Sequence, residues 1–287
     1  MMKKWLLLLC VIVLLGYYSR HKIDALFKRS SNADLHVQEA FAKQSEAPLV
    51  VTSDQVHKGD LLLVNKEYAV PDGVGYGAVN VFEHHDLVKG FGLINHQVQL
   101  SPSLLQKFST MVTAANIDGV NHFLISSGYR DEEKQRELYE QMGAEYAMPP
   151  GYSEHNLGLS LDIGSTQKKM DKAPEGKWLK ENAWKYGFVL RYQEDKENIT
   201  GIKYEAWHFR YVGLPHSAIM QGKNFVLEEY LDYLKEQKNV TVTVDHQKYK
   251  ISYYPVSHRT KIHVPANGRY EISGNNVDGV IVTVPVT

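Results

Sequence analysis

The feature that most constrains this chain is a run of leucines at every second position, Leu157, Leu159 and Leu161, interleaved with Gly158, Ser160 and Asp162. On an extended strand alternate side chains face opposite ways. The leucines then demand an apolar core on one side. The other side carries two small residues and one carboxylate, which leaves open space in front of Asp162. A plain solvent face has no use for that arrangement, but a binding site does. His155 lies just before the run, where the chain can turn it toward the same space. Imidazole with carboxylate is a ligand pair for zinc (Zn2+).

A second segment has the same two-sided character. Along 207–211, Trp207, Phe209 and Tyr211 alternate with His208 and Arg210. His208 is the candidate third ligand. Three protein ligands leave a fourth position for water, the pattern of catalytic zinc. Glu205 precedes His208 by three residues, so on a regular strand the two face opposite sides. A role for Glu205 beside the metal requires a bulge or a strand end between them. Taken singly, a His followed by an Asp seven residues on, or a Glu-x-x-His, is a common accident, and one satisfied histidine in a core strand explains 207–212 equally well. The combination with Arg130, which ends a strand at 126–130, raises the weight of a metal hydrolase.

The remaining elements read as α+β: a small antiparallel sheet with packed helices, followed by a small C-terminal β-rich module. Residues 101–119 predict a helix, capped by Ser101 with Pro102 in its first turn and Gly119 as its stop. Its apolar face is Leu104, Leu105, Phe108, Met111, Val112 and Ala115. Residues 131–142 predict a second helix that places Gln135 among apolar neighbours, 178–186 a third, and 224–237 an amphipathic fourth. Residues 61–64, 123–126 and 188–192 predict strands. From 240 onward β-branched runs alternate with Asn, Asp and Gly turns. His84 and His85 read as a surface pair, His216 as a solvated loop residue, and Trp178 and Trp184 as core.

The ends and the composition set further bounds. Lys3 and Lys4 precede an almost wholly apolar run over 5–15 without a clean cleavage site, which predicts an export signal retained as a membrane anchor with the rest of the chain outside the cytoplasm. Release after signal cleavage is the other outcome. The expected division is an anchor over 1–20, a linker over 21–55, a catalytic domain over 56–220 and a helix with β-rich module over 221–287. The one cysteine is Cys10, inside the apolar run, so the rest has neither a disulfide nor a catalytic thiol. With 32 Lys and Arg against 33 Asp and Glu, nothing calls for a nucleic-acid partner.

These pieces, in this order, resemble the VanY-type D-alanyl-D-alanine carboxypeptidases, a zinc D,D-peptidase family. The resemblance is carried by Ser127-Gly128-Tyr129-Arg130, Gln135, Pro150-Gly151-Tyr152-Ser153-Glu154-His155 with Gly158 and Asp162, Tyr186-Gly187-Phe188 with Arg191-Tyr192, and Thr200-Gly201-Ile202 through Tyr204-Glu205 and Trp207-His208-Phe209-Arg210-Tyr211 to Gly213. It spans about 100–220 and departs at Ala206, where proline is common. It implies that His155, Asp162 and His208 bind Zn2+, that Glu205 is the general base, that Arg130 lies near the scissile carbonyl, and that Gln135 and Ser153 line the substrate pocket. The implied substrate is a peptidoglycan stem peptide, from which the terminal D-alanine is removed. L,D-carboxypeptidase or endopeptidase action on the same stems is the main alternative. A serine penicillin-binding peptidase, suggested by Ser165-x-x-Lys168, and a non-catalytic wall-binding protein are remote ones.

Overall fold

The computed structural model describes residues 45–73, 77–84 and 86–286. The expected anchor and most of the expected linker lie outside the described residues. Among the described residues no helix is long and apolar enough to cross a membrane.

The catalytic layer is a five-stranded sheet of β3 (Phe91–Leu93), β5 (Phe123–Ser127), β6 (Ser160–Ser165), β8 (His208–Tyr211) and β7 (Phe188–Leu190), in that spatial order. All neighbours are antiparallel except the edge pair β3 and β5, which is parallel. A short pair, β2 (Val79–Asn80) and β4 (Gln99–Leu100), stands beside it. Helix α1 (Pro102–Ile117) covers one face. Its Ser101 cap accepts a hydrogen bond from the Leu104 amide at 3.2 Å, and its predicted apolar residues are all buried. Phe108 meets Phe91 edge to face at 4.9 Å, and the same core takes in Phe123, Ile125, Leu161 and Ile163. α2 (Glu132–Met142) starts at the Asp131 cap, whose carboxylate accepts from the Lys134 amide.

The leucine run is only partly a strand. Ser153 caps a single turn, α3 (Glu154–Leu157), which Gly158 ends in the left-handed conformation at φ 80°. Leu157 thus reaches the core from a helical turn, and Leu159 and Leu161 from the chain that becomes β6; all three are buried. The face opposite is not open throughout. Ser160 is fully buried and donates to Glu154 Oε2 at 3.0 Å, so only Asp162 borders a cleft.

After α4 (Pro174–Asn182), β7 and the short α5 (Glu197–Thr200), the chain passes through β8 into α6 (His216–Lys223) and α7 (Leu227–Gln237). β9 (Asn239–Val244), β10 (Gln247–Pro255), β12 (Glu271–Gly274) and β13 (Gly279–Val286) form an antiparallel sheet in the order β12-β13-β10-β9. β11 (Arg259–Pro265) pairs instead with β1 (Glu46–Thr52). β1 lies within the stretch read as linker. Its register with β11, Val51 opposite Thr260 and Thr52 opposite Arg259, is a long-range pairing that local composition does not announce.

Two further expectations change. Residues 61–64 are buried but form no strand, because their polar groups are used elsewhere. The carbonyls of Asp60 and Leu62 accept from Arg210 Nη2 at 2.8 and 2.9 Å, and the Leu63 amide donates to Asn275 at 3.1 Å. His216 is not a solvated loop residue. It opens α6, is 5% exposed, and contacts the Tyr230 hydroxyl at 2.6 Å and Thr283 Oγ1 at 3.1 Å. Burial pushes its imidazole down to about 3, so it is neutral. Leu61, Leu63, Val189 and Val212 share one apolar cluster with Leu227, Tyr230, Val242 and Ile281, so the C-terminal module packs directly on the catalytic layer.

Candidate active site

Asp162 and His208 are directly paired residues of neighbouring strands, so their side chains rise from the same face of the sheet. A register shift between Ile125 and Ser127 on β5 brings Ser127, not Ser126, opposite Asp162 and frees the following residues to curl over the site. His155 reaches in from α3. His155 Nε2 lies 3.3 Å from Asp162 Oδ1, and His208 Nδ1 lies 3.1 Å from the same oxygen. One ligand atom from each of the three residues falls within 4.8 Å of the other two.

The other ring nitrogens are committed. His155 Nδ1 donates to the Gly128 carbonyl at 2.6 Å, and His208 Nε2 to Glu154 Oε2 at 3.4 Å. This fixes which nitrogen of each ring faces the centre. His155 Nε2 and Asp162 Oδ1 are buried without a hydrogen-bond partner. Unpaired buried polar atoms are costly, and a cation between them removes the cost. Two ligands held about 2.0–2.1 Å from a tetrahedral ion lie about 3.3 Å apart, which matches the 3.3 and 3.1 Å from Asp162 Oδ1 to the two imidazole nitrogens. The donor set of two imidazoles and one carboxylate therefore fits zinc.

Charge follows the same geometry. Burial and the Arg130 guanidinium push His155 down to about 4. Burial resists ionisation of Asp162, but the two imidazoles hold its carboxyl far below the usual range. Burial likewise opposes the imidazolium at His208, yet the Asp162 carboxylate 3.1 Å from Nδ1 and the Glu154 carboxylate at Nε2 raise it to about 9.

Glu205 meets the parity condition by a turn. The His208 amide donates back to the Glu205 carbonyl at 3.2 Å, so Glu205 stands before the strand and not on it. Its Oε2 comes within 3.7 Å of His208 Nδ1. Burial, with the Asp162 charge nearby, pushes its carboxyl up to about 7. Arg130 Nη2 is 3.7 Å from Asp162 Oδ2, and its Nη1 donates to Gln135 Oε1 at 2.8 Å. Gln135 is itself anchored, donating from Nε2 to the Met148 carbonyl at 2.6 Å. It borders the cleft, but both of its polar groups are engaged, Oε1 with Arg130 and Nε2 with the Met148 carbonyl. Ser153 also borders the cleft, and its Oγ accepts from the His155 amide at 3.3 Å, leaving the hydroxyl proton to donate. All seven sequence-predicted site residues thus line one cleft.

A sequence profile of the VanY family, described as D-alanyl-D-alanine carboxypeptidase, matches residues 97–214. A curated D-alanyl-D-alanine carboxypeptidase from Enterococcus faecium is 54% identical over 99% of this chain and 96% of its own length. The chain belongs to the VanY D-alanyl-D-alanine carboxypeptidase family. Among solved structures, the vancomycin resistance D,D-dipeptidase VanXYg, in complex with a D-Ala-D-Ala phosphinate analog, is 32% identical with a TM-score of 0.73, covering 84% of this chain and 99% of its own. A mutant of the vancomycin resistance D,D-pentapeptidase VanY from a VanB-type resistance cassette, in complex with Zn(II), is 28% identical with a TM-score of 0.51, covering 60% and 98%. The activity of this chain is accordingly that of a VanY-type D-Ala-D-Ala carboxypeptidase acting on cell-wall peptides.

Within this family member, sequence reasoning missed the residues behind the cleft. Glu154 is 1% exposed and holds His208, Ser160, Arg191 and Arg210 at once. Tyr192 is buried with its ring centroid 4.8 Å from that of His208. Both stand in the motifs quoted above, next to His155 and Arg191, and a charged residue between a cap and a core leucine was the available signal for Glu154. Ser165 and Lys168 sit at the far end of β6 and take no part; Ser165 Oγ accepts from the Gln167 amide at 3.2 Å, and Lys168 is exposed. His84 is half-buried, and His85 lies outside the described residues.

Proposed function

We propose that the D-alanyl-D-alanine carboxypeptidase activity of this chain depends on zinc held by His155, Asp162 and His208. The observation that carries this is the meeting of Asp162 Oδ1 with His155 Nε2 and His208 Nδ1 at 3.3 and 3.1 Å, the first two of these atoms having no hydrogen bond. When bound there, zinc supplies a Lewis acid for the scissile carbonyl and lowers the pKa of a coordinated water to about 7.

The protein's own residues do the rest. Glu205 takes a proton from the attacking water and passes it to the nitrogen of the departing D-alanine as the C–N bond breaks. Burial raises its carboxyl to about 7 in the metal-free protein, and the charge of a bound zinc would lower it again, so that the ionised form takes the proton near neutral pH. Arg130, aimed by Gln135 and drawn toward Asp162, brings a fixed positive charge to the cleft, where negative charge builds on the carbonyl oxygen. The Ser153 hydroxyl is placed to donate to the substrate's terminal carboxylate, a charge that needs a partner once desolvated. The Lys3 and Lys4 start with its apolar run supports placement on the outer side of the cytoplasmic membrane, with the N-terminal segment as tether.

The test is digestion of purified tri-, tetra- and pentapeptide stems, read by mass, with and without a chelator. The proposal expects loss of one alanine from the pentapeptide, abolished by chelator and restored by zinc. Undiminished cleavage after complete metal removal overturns the zinc reading. Cleavage of the tetrapeptide in preference to the pentapeptide identifies L,D-carboxypeptidase action instead.

A further inference from the structure

Behind His208 runs a chain of buried ionic contacts that ends outside the segment matched by the VanY profile, which stops at residue 214. Glu154 accepts at Oε1 from two guanidiniums, Arg191 Nε at 2.8 Å and Arg210 Nη1 at 2.7 Å. With that oxygen saturated, Oε2 turns to His208 Nε2 and Ser160 Oγ. Arg191 shares its charge between two carboxylates. Its Nη fork is gripped by Glu228, Nη1 to Oε2 at 2.9 Å and Nη2 to Oε1 at 2.7 Å. Glu228 lies in the first turn of α7, beyond the profile match, and is steadied by Asn65 Nδ2 at 3.1 Å. Arg191, Arg210 and Glu154 are each 1% exposed or less.

We infer that Glu228 is a positioning residue for the metal site: by occupying the Arg191 fork it keeps Glu154 in the orientation that fixes the His208 ring, so α7 of the C-terminal segment completes the catalytic unit. This rests on the zinc reading above. A buried guanidinium that loses one of two carboxylates seeks fuller pairing with the one that remains. Without the Glu228 charge, Arg191 draws Glu154 toward a two-oxygen pairing and takes Oε2 from His208. Groups that orient a ligand in this way typically contribute about 10- to 100-fold in metal affinity. Glu228 acts through two intermediaries, so the lower end applies.

The experiment measures apparent zinc affinity of the full chain by competition with a chromophoric chelator, alongside the unfolding midpoint and kcat and KM at saturating zinc. Glu228→Gln is expected to weaken zinc about tenfold with KM unchanged. Glu229→Gln, the neighbouring carboxylate that caps Val226 and pairs with Lys196, is expected to leave zinc affinity as it was. In an Arg191→Met background the further change Glu228→Gln is expected to have no effect on zinc, because the residue through which it acts is gone. If Glu228→Gln does not fold, Glu228→Asp, which shortens the reach to the Arg191 fork, is expected to weaken zinc to a smaller degree while Glu229→Asp leaves it as it was. Wild-type zinc affinity in Glu228→Gln, or an equal loss with and without Arg191, overturns the inference while leaving the zinc reading intact. A wild-type chain that binds no zinc overturns both.

Discussion

Replacing Glu205 by Gln isolates proton transfer from metal binding. The carboxylate is 6% exposed and sits 3.7 Å from His208 Nδ1. Among the described residues lining the cleft, no other carboxylate or imidazole is free to replace it as a base. Asp162 faces both imidazoles and is held ionised far below the usual carboxylate range, and each imidazole turns one nitrogen to a backbone or Glu154 oxygen. The loss therefore falls in the upper part of the range of about 100- to 10,000-fold that positioned general bases supply. That corresponds to about 2.7–5.4 kcal/mol at 1.36 kcal/mol per tenfold. The sign on zinc is opposite. The Glu205 charge is one of the influences that raise His208, so its removal makes the His208 proton easier to displace and zinc content stays stoichiometric. The assay is single-turnover release of D-alanine from a stem pentapeptide, with metal content measured on the same sample. A variant that keeps its zinc and retains more than about a tenth of the wild-type rate refutes Glu205 as the base.

Two further outcomes follow from the same geometry. At pH 7 the metal-free protein holds a proton on His208, raised to about 9, and none on His155, lowered to about 4. Zinc binding should therefore release about one proton per ion, with affinity falling about tenfold per pH unit as pH drops below 9; calorimetry in buffers of different ionisation enthalpy reads this, and zero release contradicts it. Gly128→Ala places a Cβ 2.1 Å from the Gln99 carbonyl oxygen and 2.7 Å from Leu100 Cδ2. The backbone must shift, at about 1–3 kcal/mol of stability, and the Gly128 carbonyl moves off His155 Nδ1, so chemical denaturation and zinc titration should both register the change.

What the sequence made legible was whatever depends on local periodicity or on a few chemically pointed residues. The 101–119 helix was readable because Ser101, Pro102 and the apolar spacing agree with one another. The meeting of His155, Asp162 and His208 was readable because they stand beside leucines and aromatics whose burial fixes where they face. Long-range pairing was not readable. β1 gains its partner more than 200 residues away in β11, and nothing within 46–52 says so. Residues 61–64 looked like a strand because they are apolar, but Arg210 and the 275–276 turn use their backbone groups. His216 looked solvated after Pro215, yet Tyr230 and Thr283 arrive from later elements to bury it. Leu157 matched a period of two while belonging to a helical turn, since one turn and a strand entry place leucines on the same core. The role of Glu154 needed the fold, because its partners come from β6, β8 and the end of β7.

The most direct test of the central claim is anomalous scattering at the zinc edge from crystals of the zinc-loaded full chain. The account predicts a peak bonded at about 2.0–2.2 Å to His155 Nε2, His208 Nδ1 and a carboxylate oxygen of Asp162, with Glu205 beside the remaining coordination position. A fully zinc-loaded, active crystal with no density between those three side chains, or with its zinc held by other residues, would contradict it.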